Sequence, residues 1–163
     1  MGQTESGLTK FFDIKEEAVT PGTAFVSKKN RHLYDWWRQV NGGLIPTRKM
    51  FDVVDHKMVV ANLFLTEVLA DGDFVFRLFG EGVIQIVGRN RKGELVQKGA
   101  AGDYGHALYE YYHSVVAGRV CRKCAGSLAF AGRELRKFES IDCPLTDDSG
   151  KVEFIVGVMD LVV

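Results

Sequence analysis

Two cysteines three positions apart, Cys121 and Cys124, have a spacing that zinc knuckles and thiol redox sites share. A zinc site needs four ligands, and only Cys143 and distant histidines are left to complete the set. We predict that the pair lies where a β-strand begins, so that residues three apart point to opposite faces. A thioredoxin-like role would need a βαβ setting that the surrounding pattern lacks. We therefore predict no metal site, and the role of the pair stays open.

Arg77 lies in an otherwise apolar stretch. If this stretch is a strand, Arg77 shares one face with Val75 and Phe79. A buried guanidinium needs an anionic partner, because desolvating an unpaired charge is costly. That partner can be the carboxylate or phosphate of a ligand, which arginine binds with two parallel hydrogen bonds. It can equally be Glu81, Glu139 or a helix end, which would make Arg77 a structural residue. The sequence leaves both interpretations open.

Aromatic side chains cluster on a segment that we predict to be helical, at Tyr109, Tyr111, Tyr112 and His113. Such a face can line a ligand cavity, with hydroxyl groups that fix the orientation of the ligand. Packing of the helix against a sheet explains the same spacing. His113 is the nearest candidate for a haem ligand, but a lone histidine at the margin of a helix is expected to be solvated.

No set of residues in the sequence predicts catalysis. Neither a Ser/His/Asp arrangement nor a pair of carboxylates can be argued from spacing alone. The segment GRNRKGEL (88–95) is not a phosphate-binding loop, since it lacks the Gly-Lys-Ser/Thr spacing and a preceding strand. We therefore predict that the chain has no catalytic residues and is not an enzyme.

Two helices are predicted to precede the first strand. Residues 8–18 place Leu8, Phe11 and Phe12 on one stripe, which predicts a short amphipathic helix that Pro21–Gly22 interrupts. The second helix follows Ser27, which can serve as its N-cap. Its apolar side chains share one face: Leu33, Trp36, Trp37 and Val40. The run of Asn and Gly at 41–43 is a stop signal for this helix.

The pattern after the second helix changes to that of strands. Residues 59–70 and 74–81 predict a hairpin across the turn at 70–73. Glycines then break residues 81–102 into short helical turns. A longer helix is predicted at 103–118 and ends at a glycine.

Three further strands are predicted at 121–131, 133–145 and 151–163. The middle strand has one mostly buried face, formed by Leu135, Ile141, Cys143 and Leu145. Its Pro144 cannot donate a ladder hydrogen bond and is expected at the strand end. Helices that separate two groups of strands predict an α+β fold with an antiparallel sheet.

The composition predicts one soluble domain. The chain has 163 residues, of which 46% are hydrophobic, and its 21 basic and 21 acidic side chains give no net charge. A neutral domain argues against nucleic-acid binding, which usually needs a basic surface. No apolar run reaches the ~20 residues of a membrane span, and no signal peptide is recognised. Three cysteines without a secretion signal favour a cytoplasmic location.

Four segments resemble the single-domain PAS-like family found mainly in alphaproteobacteria: LYDWWRQVNGGLIPTRKMFD, NLFLTEVLADGDFVFRLFGEGVIQIVGRNRKGELV, ALYEYYHSVVAGRV and IDCPLTDDSGKVEFIVGVM. The family's Leu-Tyr-x-x-Trp helix, Pro-x-Arg segment, aromatic-Arg-Leu-x-Gly strand end, Gly-Arg step and Pro-Leu-x-x-Asp-x-Gly hairpin occur in the same order. The resemblance covers residues 32–160. The chain departs from the family at GEG (80–82), where Gly-Thr is frequent, and at CRKC (121–124).

The resemblance implies a five-stranded antiparallel sheet with short helices on one face and a pocket between them. It divides the chain into an N-terminal helical extension, 1–31, and a PAS-like domain, 32–163. Some PAS domains bind haem, flavin or metabolites and many serve in dimerisation and signal relay, so the cofactor stays unknown. Flavin photochemistry in this family needs a cysteine in an Asn-Cys-Arg type of motif, which this sequence lacks.

The resemblance also implies where ligands and partners bind. We expect the ligand-binding residues to be Arg77, Phe79, Val83, Val87, Tyr109, Tyr112, Val116 and Leu128. A homodimer interface is expected at Leu33, Trp36, Trp37 and Val40, because PAS domains often carry an N-terminal helix on the outer face of the sheet. At least one tryptophan ring should then cover the sheet or a partner subunit rather than line the pocket.

The expected function is that of a cytoplasmic sensory or regulatory domain. It would signal through a small ligand, a homodimer and a downstream partner protein. One alternative is a small α+β enzyme with a cone-like pocket that uses Arg77, His113 and a carboxylate. The other is a structural interaction module with a filled core. A cavity beside the longer helix favours the sensor, and a His–carboxylate pair facing that cavity favours the enzyme.

Overall fold

The computed structural model describes residues 14–99 and 103–162. Within them the helices are α1 (Lys28–Gln39), α2 (Glu81–Val87) and α3 (Asp103–Gly118). The strands are β1 (Lys15–Ala18), β2 (Leu63–Val68), β3 (Phe74–Phe79), β4 (Leu95–Val96), β5 (Arg122–Leu128), β6 (Arg133–Thr146) and β7 (Val152–Val162). Short 3-10 turns occur at Arg48–Met50, Val53–His56, Val60–Asn62 and Ala129–Ala131.

One sheet holds the seven described strands in the order β1-β5-β6-β7-β2-β3-β4. Every neighbouring pair is antiparallel. The expected α+β fold is confirmed, and five strands form its centre. The prediction of five strands is nevertheless wrong, because β1 and β4 add one strand at each edge. For residues 81–102, helical turns alone were expected, and the structure shows α2 followed by the two-residue strand β4.

The strand β1 lies where the sequence predicts the end of an amphipathic helix at 8–18. Its four residues pair with β5, and an ion pair of 3.6 Å joins Glu16 to Arg122 across the two strands. A free sheet edge offers backbone hydrogen bonds that outweigh a weak helix propensity. The helical prediction is therefore wrong for 15–18, and its remainder at 8–13 falls outside the described residues.

Helix α1 covers the face of the sheet that is opposite to α2 and α3. Ser27 caps it as predicted, since its hydroxyl accepts a hydrogen bond of 3.2 Å from the Asn30 amide. Leu33 is fully buried in the cluster between helix and sheet. The indole Nε1 of Trp37 donates a 2.8 Å hydrogen bond to the Pro144 carbonyl on β6. The Trp37 ring therefore covers the sheet, as the sequence predicts.

Two details of β6 differ from the sequence prediction. Pro144 lies opposite Ile155 within the strand rather than at its end. The pairing of β5 with β6 stops at Asp142, so the proline occupies a locally free edge, where it is tolerated. Leu135 is 98% exposed instead of buried. The register of β5 and β6 shifts near this residue, so the alternation of buried side chains does not continue across the irregularity.

The turn Val60–Asn62 explains two glycines of the GEG segment. It also delays the start of β2, which begins later than the sequence predicts. A Cβ atom on Gly80 would overlap the carbonyl oxygen of Ala61, and one on Gly82 would lie 2.8 Å from the same atom. The entry into α2 therefore needs residues without a side chain, because the backbone of the turn occupies that space.

Candidate functional site

A cavity of about 350 Å³ lies between the sheet and the helices α2 and α3. The strands contribute an aromatic and aliphatic wall formed by Phe64, Phe76, Phe79, Phe138 and Met159. The helices contribute Val83, Val87, Ala107, Leu108, Tyr111 and Tyr112. Helix α3 therefore does not pack directly on the sheet along its whole length, and the filled core of a purely structural module is not what the structure shows.

Strand β6 positions the polar part of this wall. Successive side chains of a strand point to opposite faces. Ser140 and Asp142 face the cavity, whereas Ile141 and Cys143 lie in the cluster beneath α1. The same short segment thus shapes the cavity on one face and supports α1 on the other.

Asp142 and Tyr111 form a buried hydrogen-bonded pair in the cavity wall. The Tyr111 hydroxyl donates a 2.6 Å hydrogen bond to Oδ2 of Asp142. Oδ1 of Asp142 has no hydrogen-bond partner among the residues that the structure describes, although Asp142 is only 1% exposed. An unpartnered carboxylate oxygen in a buried wall is costly, so this atom is a point where a ligand can bind.

Burial determines the protonation of both groups. Loss of water raises the pKa of Asp142 from 3.8 to about 7, the Tyr111 hydrogen bond lowers it, and the negative charge of Glu16 raises it further. The pKa of Tyr111 is raised well above 10.0, mainly by burial and then by the charge of Asp142. The cavity therefore contains an acid whose charge can change near neutral pH.

The Asp142 carboxyl is expected to make the folded protein less stable as pH rises. Its pKa is about 7 in the folded protein against an ordinary value of 3.8. Between these values the folded state binds more protons than the unfolded state, so this contribution to stability is complete below the lower value and is lost as pH approaches the upper one. The slope reaches about 1.4 kcal/mol per pH unit.

Urea denaturation of the wild type and of Asp142→Asn at pH 4.5, 6.0 and 8.0 measures this effect. The asparagine variant lacks the titration, so the wild type should lose stability relative to the variant as pH increases. A difference between the two proteins that stays constant over this range would contradict the assignment of the raised pKa to Asp142.

Other polar side chains also line the cavity. Burial raises the pKa of the Cys124 thiol, which therefore stays protonated. The Arg91 guanidinium lies 5.0 Å from the centre of the Phe76 ring on β3, and its Nε is 3.6 Å from Glu94. Glu16 reaches the cavity from β1, which is the strand at the opposite edge of the sheet from β4.

The structure brings half of the predicted ligand-binding residues into the cavity wall. Phe79, Val83, Val87 and Tyr112 line it. Tyr109 and Leu128 are buried in the core cluster beside the cavity, and Val116 packs against that cluster. These three side chains support the wall rather than form it.

Arg77, which was expected among the ligand-binding residues, is not part of the cavity wall. Its side chain is 52% exposed and forms an ion pair with Glu67, which was not among the expected partners. The pairing of β2 with β3 passes from Leu78 directly to Phe76, so Arg77 is the extra residue of a β-bulge. A bulge re-aims side chains and breaks the alternation on which the prediction depended.

The structure also does not bring together the catalytic set of the alternative enzyme hypothesis, which consists of Arg77, His113 and a carboxylate. His113 is exposed and stacks on Tyr109 with 6.1 Å between the ring centres. Arg77 forms an ion pair with Glu67 at the surface of the sheet. No His–carboxylate pair of the kind that would favour an enzyme therefore faces the cavity within the described part of the chain.

The two cysteines of CRKC lie on opposite faces of the sheet, as the sequence predicts. Cys124 lines the cavity. Cys121 is buried beneath α1, where its thiol hydrogen-bonds Cys143. Among the described residues no group of three His, Cys, Asp or Glu side chains could hold a metal ion.

Several residues of the cavity wall were missing from the sequence prediction of ligand-binding residues: Phe64, Phe76, Tyr111, Cys124, Phe138, Ser140, Asp142 and Met159. Tyr111 belonged to the aromatic cluster on the predicted helix. Ser140 and Asp142 alternate with Ile141 and Cys143, which is the only sequence signal that they carry. That signal also fits a strand face exposed to water.

A family model described as "PAS domain" matches residues 25–160. No curated protein matches the chain. Among solved structures, an RNA-binding light-oxygen-voltage receptor is 12% identical with a TM-score of 0.50, and the alignment covers 91% of this chain and 38% of that chain. The PAS domain of Bordetella pertussis BvgS is 17% identical with a TM-score of 0.46, covering 69% of this chain and 88% of that one.

The light state of the Aureochrome1 LOV photoreceptor is 16% identical with a TM-score of 0.43, and the alignment covers 66% of this chain and 85% of that chain. None of the described helices is long and apolar enough to cross a membrane. The family match includes β2 to β6, the helices α1 to α3 and most of β7, and thus the sheet and the cavity described above. The chain therefore belongs to the PAS domain family.

Proposed function

We propose that this chain is a sensory or regulatory domain, not an enzyme, that binds a small ligand in the cavity between the sheet and α3. The cavity itself is the observation that carries the proposal. It measures about 350 Å³ and combines an apolar wall with the convergent polar groups of Tyr111, Ser140 and Asp142. Small-molecule sites have this combination of size, apolar lining and few polar groups.

The arrangement of β6 supports a route from the ligand to the protein surface. Ser140 and Asp142 touch the cavity, and Glu139 on the opposite face binds the start of α1 through the amides of Val26 and Ser27. A ligand with different affinities for two positions of β6 would shift the population of two positions of α1. We propose that this helix transmits the signal.

We further propose a homodimer, or a complex with a downstream partner protein, at the outer edge of α1. Leu33 is fully buried against the chain's own sheet, so it cannot take part as the sequence analysis expected. Val40 is 41% exposed, and Trp36 and Trp37 are half-buried. These three residues remain the proposed contact. The free cysteines suit a reducing compartment, which supports a cytoplasmic location.

A substitution that fills the cavity is expected to abolish ligand binding and to keep the fold. Ala107 lines the cavity from α3, so Ala107→Phe would place a ring in the space that the ligand needs. Native mass spectrometry of the purified wild type should show bound small molecules or added ligands, and the variant should lose at least 90% of that signal, on the order of 1.4 kcal/mol of binding free energy.

Ala117→Phe is the matched control, because Ala117 is exposed on the same helix. It should bind ligand as the wild type does. Circular dichroism of both variants checks that the sheet and α3 are intact. Equal ligand occupancy in a folded Ala107→Phe variant would overturn the cavity as the binding site.

A further inference from the structure

The cavity has an acidic end built by β1 and β6. Asp142 is 1% exposed, and its Oδ1 atom has no hydrogen-bond partner among the described residues. Oδ2 already accepts the hydrogen bond of Tyr111. Glu16 lines the same cavity from β1 and is close enough to affect the charge of Asp142. This end therefore presents a free acceptor on Asp142, and the nearby Glu16 is ion-paired with Arg122 at 3.6 Å.

The groups around Asp142 do not neutralise it. Arg122 lies opposite Asp142 in the β5–β6 pairing, but its guanidinium is directed to Glu16 at 3.6 Å. Cys124 keeps its proton because burial raises the pKa of the thiol. Tyr111 supplies one neutral hydrogen bond only. The cationic side chain that also lines the cavity, Arg91, lies over Phe76 on β3, three strands away from β6.

We infer that the cavity takes a ligand with a protonated nitrogen at one end and an aromatic or aliphatic body, and that the nitrogen donates a hydrogen bond to Oδ1 of Asp142. This inference rests on the proposed ligand-binding function and names the class of ligand. A cationic donor satisfies the acceptor and also compensates the buried negative charge, whose isolation would be costly. Phe64, Phe138 and Met159 provide apolar contacts for the body.

The charge of the ligand's end group distinguishes this inference from two others, in which the end group is a carboxylate or a neutral hydroxyl. A carboxylate at the same end would meet the Asp142 carboxylate, and like charges at short distance repel. A neutral hydroxyl could donate to Oδ1 but would leave the carboxylate charge uncompensated. A hydrogen bond with an ionised partner is about twice as strong as a neutral one, so the carboxylate strengthens both donors, and only the protonated amine also compensates its charge. The ligand class with the best match is therefore an amine.

Matched probes that differ only in their end group test the inference. Tryptamine, tryptophol and indole-3-acetate share one body, and 2-phenylethylamine, 2-phenylethanol and phenylacetate share a smaller one. Isothermal titration calorimetry of the full chain at pH 8.0 should show each amine binding about tenfold or more tighter than its alcohol, with the carboxylate weakest. In Asp142→Asn the amine and the alcohol should bind equally. Glu110→Gln, at an exposed position of α3, should keep the preference.

A second measurement at pH 5.5 uses the titration of the same group. The Asp142 carboxyl is mostly protonated there, since its pKa is about 7, so the preference for amines should fall toward that of the asparagine variant. This result is not expected if Asp142 has only a structural role.

Each outcome decides the question. Binding of all three end groups with equal affinity, or tightest binding of the carboxylates, would overturn the amine inference and keep the cavity as a ligand site. A preference for amines that persists in folded Asp142→Asn would overturn the assignment to Asp142. Failure of all six probes to bind the wild type would overturn the amine inference, whereas the cavity-binding proposal is decided separately by the ligand occupancy of Ala107→Phe in native mass spectrometry.

Discussion

Replacing Glu139 by alanine is expected to lower the free energy of unfolding by about 3–5 kcal/mol. The carboxylate is 1% exposed and holds the start of α1 on the sheet. It accepts hydrogen bonds of 2.9 Å from the backbone amides of Val26 and Ser27, and one of 3.0 Å from the Asn30 side chain. Lys123 lies 3.6 Å away. Removing the carboxylate leaves the backbone amides of Val26 and Ser27 without their acceptor, which is among the most costly changes in a folded protein. Lys123 loses one anionic partner and keeps its 2.7 Å hydrogen bond to the Ala24 carbonyl.

Urea denaturation followed by tryptophan fluorescence measures the loss, because both tryptophans lie on α1. Glu110→Ala is the control, since an exposed glutamate on α3 should change stability by about 0.5 kcal/mol or less. Glu139→Gln should fall between the two, because the amide keeps one acceptor oxygen but places an NH₂ group opposite a backbone N–H donor. If Glu139→Ala unfolded at the same urea concentration as Glu110→Ala, Glu139 would not anchor α1.

Local patterns predicted α1 and the hairpin of β2 and β3 because their causes are local. Ser27 as the cap and the stripe that contains Leu33 depend only on residues within a few positions of each other. The hairpin likewise follows from two apolar runs and a polar turn. In both cases the hydrogen bonds that decide the structure join neighbours in the chain, so sequence spacing contains the necessary information.

Long-range pairing decided the features that the sequence prediction missed. Strand β1 exists because the edge of β5, more than 100 positions away, accepts it: Lys15 lies opposite Ala125. Arg77 leaves the alternation because β2 and β3 differ by one residue in register. Neither the partner strand nor the register is encoded in the composition of these short segments, so spacing alone could not reveal them.

The candidate site was predictable only in its apolar part. Phe79, Val83, Val87 and Tyr112 follow from apolar periodicity, since any residue on the inner face of the sheet or helices comes close to the cavity. The position of Asp142 in the cavity does not follow from the sequence. Strand alternation places its side chain on the face opposite Ile141 and Cys143, but it does not tell what covers that face. Water, a helix or a cavity would give the same pattern, and only the packing of α3 over β6 distinguishes them.

The double substitution Trp36→Ala and Trp37→Ala is expected to lower the free energy of unfolding by about 4–6 kcal/mol, which is a large part of the stability of an ordinary domain. Trp37 loses its hydrogen bond to the Pro144 carbonyl and its stacking on Tyr34. Trp36 loses edge contacts with Phe51 and His56, at 5.6 and 5.1 Å between ring centres. Because both rings pack within their own chain, the loss should occur whether or not the protein is a dimer.

Size-exclusion chromatography with light scattering separates this packing role from the proposed dimer contact. Val40→Lys changes the exposed end of the same stripe, so it should leave stability within about 0.5 kcal/mol and weaken a dimer formed through α1. Trp37→Phe removes the indole hydrogen bond and keeps most of the ring, at a cost of about 1 kcal/mol. A double alanine variant that kept its stability and its oligomeric state but no longer bound ligand would contradict the placement of α1 on the outer face. The tryptophans would then belong to the cavity, and the signal route through β6 would lose its support.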